Sequence, residues 1–108
     1  MTDSLLVQLR KGALDLCVLA MLAQQDGYAY DIASRLAQDI GMGEGTIYPL
    51  MRRLQTDGLV ETYLVESSSG PSRKYYRLTE AGKASFGSQK SAWASFSGAV
   101  EGILGGVK

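Results

Sequence analysis

The chain has 108 residues, eleven basic and eleven acidic side chains that cancel, no histidine and a single cysteine. That inventory excludes disulfide frameworks, zinc fingers and nearly all acid/base or nucleophilic constellations, so neither an enzyme, a metal site nor a cofactor is expected. The best apolar run, residues 13–23, is too short to span a bilayer and is broken by Asp15, which predicts a cytoplasmic protein with no membrane partner.

One domain of this length carries a modest core, and a second subunit could supply a meaningful share of the burial. Helical spacing first runs over residues 5–24, where Leu5, Leu6, Leu9, Leu16, Leu19, Ala20 and Ala23 offer one face and Leu14, Cys17, Val18, Met21 and Leu22 another. So broad an apolar surface predicts burial against two bodies, the helix's own domain and a partner. Gln25-Asp26-Gly27 reads as a turn, and residues 28–40 as a second helix with Ile32, Leu36 and Ile40 on one stripe. Gly41-Met42-Gly43 separates it from a third helix. That helix begins close to Gly45, because Pro49 lacks an N–H and fits only near a first turn, and it stops at Gly58, which supplies a left-handed residue. Ile47, Leu50, Met51 and Leu54 recur at helical spacing toward a core, while Thr46, Tyr48, Arg52 and Arg53 fall on the other side. Helix, short glycine-containing turn and helix is the arrangement that lets the second helix enter a major groove.

Residues 59–66 and 73–79 read as two strands, joined by Ser67-Ser68-Ser69-Gly70-Pro71-Ser72 as a hairpin tip. Alternation puts Lys74, Tyr76 and Leu78 on one face of the second strand and Arg73, Tyr75 and Arg77 on the other. Since Leu78 must point at the core, Arg73 and Arg77 share the exposed face. Thr79, an N-cap followed by Glu80 at the positive end of the dipole, opens a last helix that continues to about Val107. Phe86, Trp93, Val100 and Val107 form one heptad column, and Phe96 and Ile103, with Gln89 and Gly82 in register, form the other, which together make an a/d seam. Gly87, Gly98, Gly102, Gly105 and Gly106 each cost on the order of 1 kcal/mol relative to alanine, so this helix needs a partner surface.

Zero net charge argues at first against nucleic acid, because phosphate binding draws on a basic footprint. Distribution matters more than the sum. Basic residues gather at Arg52 and Arg53 on one helix and at Arg73, Lys74 and Arg77 on one strand, while Asp3, Asp26, Asp31 and Asp39 are spread through the first half. The alternative is that these are ordinary solvated arginines.

The start Gly45-Thr46-Ile47-Tyr48-Pro49, the exit Gly58-Leu59-Val60 and the return Arg73-Lys74-Tyr75-Tyr76-Arg77-Leu78-Thr79-Glu80-Ala81-Gly82 resemble, almost residue for residue, the PadR family of bacterial winged-helix transcription regulators. The resemblance implies a mainly α fold with a small β-hairpin wing, a winged helix-turn-helix DNA-binding domain over residues 1–78 and a dimerisation helix over 79–108. It implies a homodimeric repressor of a pseudo-palindromic double-stranded operator, contacting DNA through Thr46, Tyr48, Arg52, Arg53, Arg73, Lys74 and Arg77. Tyr48 serves there as a backbone anchor through its hydroxyl or as an aromatic packed on the wing. The dimer interface would hold Leu5, Leu9, Phe86, Trp93, Phe96, Val100 and Ile103. In multidrug-sensing members a tryptophan eleven residues after the Thr-Glu-x-Gly turn, the position of Trp93, lines a flat ligand slot between subunits. A flat hydrophobic or cationic effector beside Trp93, Asp15, Leu16 and Gln89 is therefore one expectation, and a Trp93 that merely fills the interface is the other. Asp15 either reaches solvent beside Lys11 or serves as counter-charge in the slot. A different class of function, a winged-helix module for protein association alone, is separated from these by salt-dependent binding to promoter DNA.

Overall fold

A computed structural model describes the backbone of residues 2–107 and the side chains of residue 9 and of 12–107. Along the chain stand α1 (Thr2–Gln24), β1 (Gly27–Tyr28), α2 (Ala29–Asp39), α3 (Glu44–Thr56), β2 (Val60–Ser67), β3 (Gly70–Leu78) and α4 (Glu80–Leu104). The strands form an antiparallel sheet in the order β1-β3-β2. Four buried α1 residues, Leu14, Val18, Leu19 and Leu22, meet Ile32, Ala33 and Leu36 of α2, the Ile47, Leu50, Met51 and Leu54 stripe of α3, and Val60, Tyr76 and Leu78 of the sheet. The apolar stripes thus close one core, and α4 extends away from it, so the molecule measures 58 × 32 × 21 Å.

Turn chemistry places the elements. The third helix ends in a Schellman motif: Gly58, at φ +77°, donates its N–H to the Gln55 carbonyl at 3.0 Å, and Leu59 donates to Leu54 at 2.9 Å. Thr79 then binds that exit to the base of α4. Its N–H donates to the Leu59 carbonyl at 3.1 Å, its hydroxyl donates to the Gly58 carbonyl at 2.6 Å, and its Oγ1 accepts the Gly82 N–H at 3.0 Å as the N-cap of α4. Gly82 is buried against this contact, and a Cβ there would overlap the Leu59 carbonyl oxygen.

Several boundaries differ from the sequence reading. Gly27 and Tyr28, taken for a turn and the start of a helix, form β1 instead and pair with Tyr76 and Tyr75. A two-residue strand is too short to display alternation, and Gly27 is tied to it by packing, since a Cβ would lie 2.7 Å from Ile32 Cδ1. Pro49 stands at the sixth position of α3, beyond the first turn, where it leaves the Gly45 carbonyl without its helical N–H partner. The hairpin tip is narrower than expected: Ser67 already pairs with Gly70, which leaves Ser68-Ser69 as the turn. The last helix stops at Leu104, short of Val107, where Gly105-Gly106 begin.

The hairpin is fastened to the end of α1 by Tyr63, whose hydroxyl donates to Asp26 Oδ2 at 2.6 Å. That hydrogen bond, then desolvation and the Asp26 charge, push the Tyr63 hydroxyl above the ordinary tyrosine range, against the opposing pull of Arg77. Because the folded-state value lies above the unfolded one of about 10, this contact stabilises fully below about pH 10 and is lost as pH rises through the folded value. Urea midpoints followed into alkali should therefore fall more steeply for the wild type than for Tyr63→Phe, and parallel curves would refute the assignment. Gly82→Ala should lower stability by about 3 kcal/mol, which thermal melting reads directly, because backbone rather than a flexible side chain must yield.

Candidate nucleic-acid interface

At about 100° per residue, burial of Ile47, Leu50, Met51 and Leu54 aims Gly45, Pro49, Arg52 and Thr56 at solvent and leaves Thr46 and Arg53 on one flank and Tyr48 on the other. The four α3 residues that the sequence placed on one outward face are divided accordingly. Thr46, Pro49, Leu50 and Arg53 line a cleft with Leu14 and Asp15 of α1. In that cleft Arg53 Nη2 donates to Asp15 Oδ1 at 2.8 Å, while Nη1 lies 3.9 Å from Asp57 Oδ2. The Asp15 hydrogen bond and charge raise the Arg53 pKa further, so the guanidinium is permanently cationic and already has a carboxylate on one edge.

On the other flank Tyr48 is half-buried against the core. Burial first, then the Glu44 charge and the neighbouring Tyr28, Tyr30 and Tyr76, push its hydroxyl up.

Tyr76 seats the basic residues of two different elements. The residue is 4% exposed; burial raises its pKa and the Arg52 charge opposes the rise. Lys74 Nζ stands 6.0 Å from the same ring centroid. Arg52 of α3 and Lys74 of β3 are both exposed, and the charge of the first and the ammonium of the second act on the same tyrosine.

The register Glu61↔Arg77, Tyr63↔Tyr75 and Val65↔Arg73 puts Arg73 and Arg77 on the opposite face of the hairpin, as alternation required. A tier of tyrosines lies there that the sequence reading had not grouped: Tyr28 and Tyr63 each have ring centroids 5.8 Å from Tyr75. Arg73 covers Tyr28 at 5.1 Å and Arg77 covers Tyr63 at 5.0 Å, and Arg77 Nε also donates to Glu61 Oε1 at 3.0 Å. The Val60↔Leu78 pairing, extended along the hairpin, was the signal that could have found Glu61.

A second concavity, about 410 Å³, lies between α1 and α4 and is lined by Leu9, Gly12, Leu16, Gln89, Ala92, Trp93 and Phe96. Leu16, Gln89 and Trp93 meet as expected, with the indole 48% exposed. Asp15 does not join them. One helical step from Leu16, it faces α3 and pairs with Arg53 in the other cleft; the Lys11 side chain of its other anticipated place lies outside the described residues. Phe86, also expected at the dimer interface, is half-buried against its own core and lines a cleft with Leu22, Ala23, Leu78 and Lys83, because the base of α4 lies on α1 and β3. Leu9, Phe96, Val100 and Ile103 are exposed, and the Leu5 side chain lies outside the described residues. Among the described residues no helix is long and apolar enough to cross a membrane, and no His/Cys/Asp/Glu cluster could hold a metal ion.

Residues 18–88 match the model of the transcriptional regulator PadR-like family. A PadR-like transcriptional regulator from Bacillus cereus is 36% identical with a TM-score of 0.83, covering 90% of this chain and 96% of its own. A PadR-like transcription factor from Bacteroides fragilis is 38% identical with a TM-score of 0.72, covering 94% of this chain and 99% of its own. Bacillus subtilis PadR in complex with operator DNA shares the fold at 24% identity, with a TM-score of 0.62 over 69% of this chain and 45% of its own. Helix order, three-stranded sheet and these likenesses agree, and the chain belongs to the PadR-like family of transcriptional regulators.

Proposed function

We propose that this chain is a homodimeric, sequence-specific DNA-binding repressor acting in the cytoplasm, with α3 entering the major groove of a pseudo-palindromic operator and the hairpin lying beside it. The observation that carries this reading is a pair of exposed basic side chains on two elements: Arg52 on the outward face of α3, whose charge is felt at the Tyr76 hydroxyl, and Lys74 of β3, whose Nζ lies 6.0 Å from the Tyr76 ring centroid. Arginine on that face can pair bidentately with guanine, and lysine beside it serves as a phosphate contact. The fold shared with a PadR bound to operator DNA supports DNA binding. Residues 1–78 would bind DNA and 79–108 would dimerise.

The basic residues should not contribute equally. Arg77 is neutralised by Glu61 and faces away from α3, whereas Arg52 and Lys74 have no carboxylate within 4.0 Å among the described residues. Replacing Arg52 and Lys74 together by glutamine should weaken binding to promoter duplex and reduce the salt slope by roughly one unit for each phosphate no longer neutralised. Arg77→Gln should leave the slope nearly unchanged. An equal loss from both variants, read by fluorescence anisotropy across a salt series, would place the docking surface elsewhere.

Trp93, Phe96, Val100 and Ile103 present exposed apolar surface along α4, and a second copy is the partner proposed for it. Symmetry would set the two α3 helices to read half-sites about one DNA turn, ~34 Å, apart. Sedimentation should show a dimer at micromolar concentration, and a folded monomer there would refute this part of the proposal.

The cavity at Trp93 is proposed to take a flat apolar compound, charged or neutral. With Asp15 committed to Arg53, attraction for a cation would come from the indole face. Such a ligand releases DNA only through its differential affinity for the spacing that cannot bind the operator, a coupling of about 1–3 kcal/mol. Planar dyes should quench Trp93 fluorescence and lower operator affinity together, with Trp93→Ala abolishing the affinity change. Quenching that leaves DNA affinity untouched would reduce Trp93 to an interface residue.

A further inference from the structure

The contact that the DNA-binding reading does not absorb is the pair between Asp15 and Arg53, across 38 residues of sequence. Arg53 lies on the flank of α3 that would border one wall of a major groove, where contacts go to phosphate rather than to base edges. Its guanidinium is half exposed and within reach of an outside anion, while the Asp15 carboxylate is two-thirds covered by the cleft between α1 and α3. Carboxylate and phosphate bind a guanidinium through the same geometry, two oxygens against an N–H edge. Asp15 already takes one N–H of Nη2, and Asp57 stands beside Nη1 at 3.9 Å.

We propose that Asp15 acts as a built-in competitor for DNA at Arg53: it occupies, in the free protein, the guanidinium edge that a backbone phosphate takes in the complex. The inference rests on the DNA-binding reading given above. Magnitudes make the contact a brake rather than a block. An ion pair as exposed as this one amounts to about a fivefold factor in an equilibrium constant at most, whereas a phosphate contact gains from counterion release and yields about one unit of salt slope. Phosphate therefore displaces the carboxylate, and Asp15 lowers affinity for duplex of any sequence by a few-fold. Its position on α1 is what makes this possible, since the residue must stand beside α3 without belonging to it.

The test is a double-mutant cycle on the full chain, using a short duplex of mixed sequence and a promoter duplex, each across a salt series. Asp15→Asn should tighten binding to both roughly two- to fivefold with the salt slope nearly unchanged, since the phosphate contact at Arg53 forms in the wild type and the variant alike. Arg53→Gln should cancel that gain in the double variant. Asp39→Asn, which removes an exposed carboxylate paired instead with Arg35 on α2, should produce less than half the Asp15→Asn effect. A gain that persists in the Arg53→Gln background would mean that Asp15 acts only as a distant negative charge, and weaker binding by Asp15→Asn would mean that it orients Arg53 for DNA; either overturns the proposal. Thermal melting accompanies each variant, with Asp15→Ser as a second replacement, and if neither folds then Asp15 is a structural anchor and the proposal fails. Absence of duplex binding by the wild type and every variant would instead remove the DNA-binding reading itself, and this inference with it.

Discussion

Two backbone carbonyls, those of Gly58 and Leu59, hold the architecture together, because both are satisfied by one residue on the far side of the hairpin. Thr79 supplies its N–H to one and its hydroxyl to the other, and the same hydroxyl oxygen caps α4 at Gly82. Through this shared partner the end of α3, the entry to β2, the exit of β3 and the base of α4 are bound to a common point. The glycine at position 82 follows from the closeness of that approach, not from any need for a left-handed backbone. Displacement of the base of α4 must therefore be felt at the C-terminal end of α3.

Charge on this molecule is organised by pairing rather than by excess. Arg53 meets Asp15, Arg77 meets Glu61, Arg35 meets Asp39 and Lys83 meets Glu80. Each pair is too exposed to contribute much stability. Their effect is to set aside much of the positive charge, while Arg52, Lys74 and Arg73 have no carboxylate within 4.0 Å among the described residues and Arg73 lies over the Tyr28 ring. A chain of zero net charge can in this way still present a local basic surface.

Helix α1 serves as a wall with three uses. Leu14, Val18, Leu19 and Leu22 close the core, Leu9, Gly12 and Leu16 line the cavity against Trp93, and Asp15 reaches α3. The broad apolar surface noted in the sequence corresponds to the first two uses. Cys17 lies among them as a small half-buried hydrophobe, its thiol pKa pushed up by burial.

Local chemistry was legible in the sequence. The 3.6-residue stripe of α3, the left-handed stop at Gly58, the cap at Thr79 and the two faces of β3 each depend on neighbours within a few residues, so composition and spacing determined them. The long motif around α3 and the return strand likewise identified the family, since it packs turn, cap and register constraints into continuous runs. Only the tertiary structure decided that Asp15 faces Arg53 instead of the Trp93 cavity, that Phe86 packs half-buried against its own core, and that Gly27-Tyr28 adds a third strand. Each of these is settled by a partner tens of residues away. Helical periodicity gives the direction in which a side chain points, but what stands there depends on how the helices cross, and no spacing within one helix carries that information.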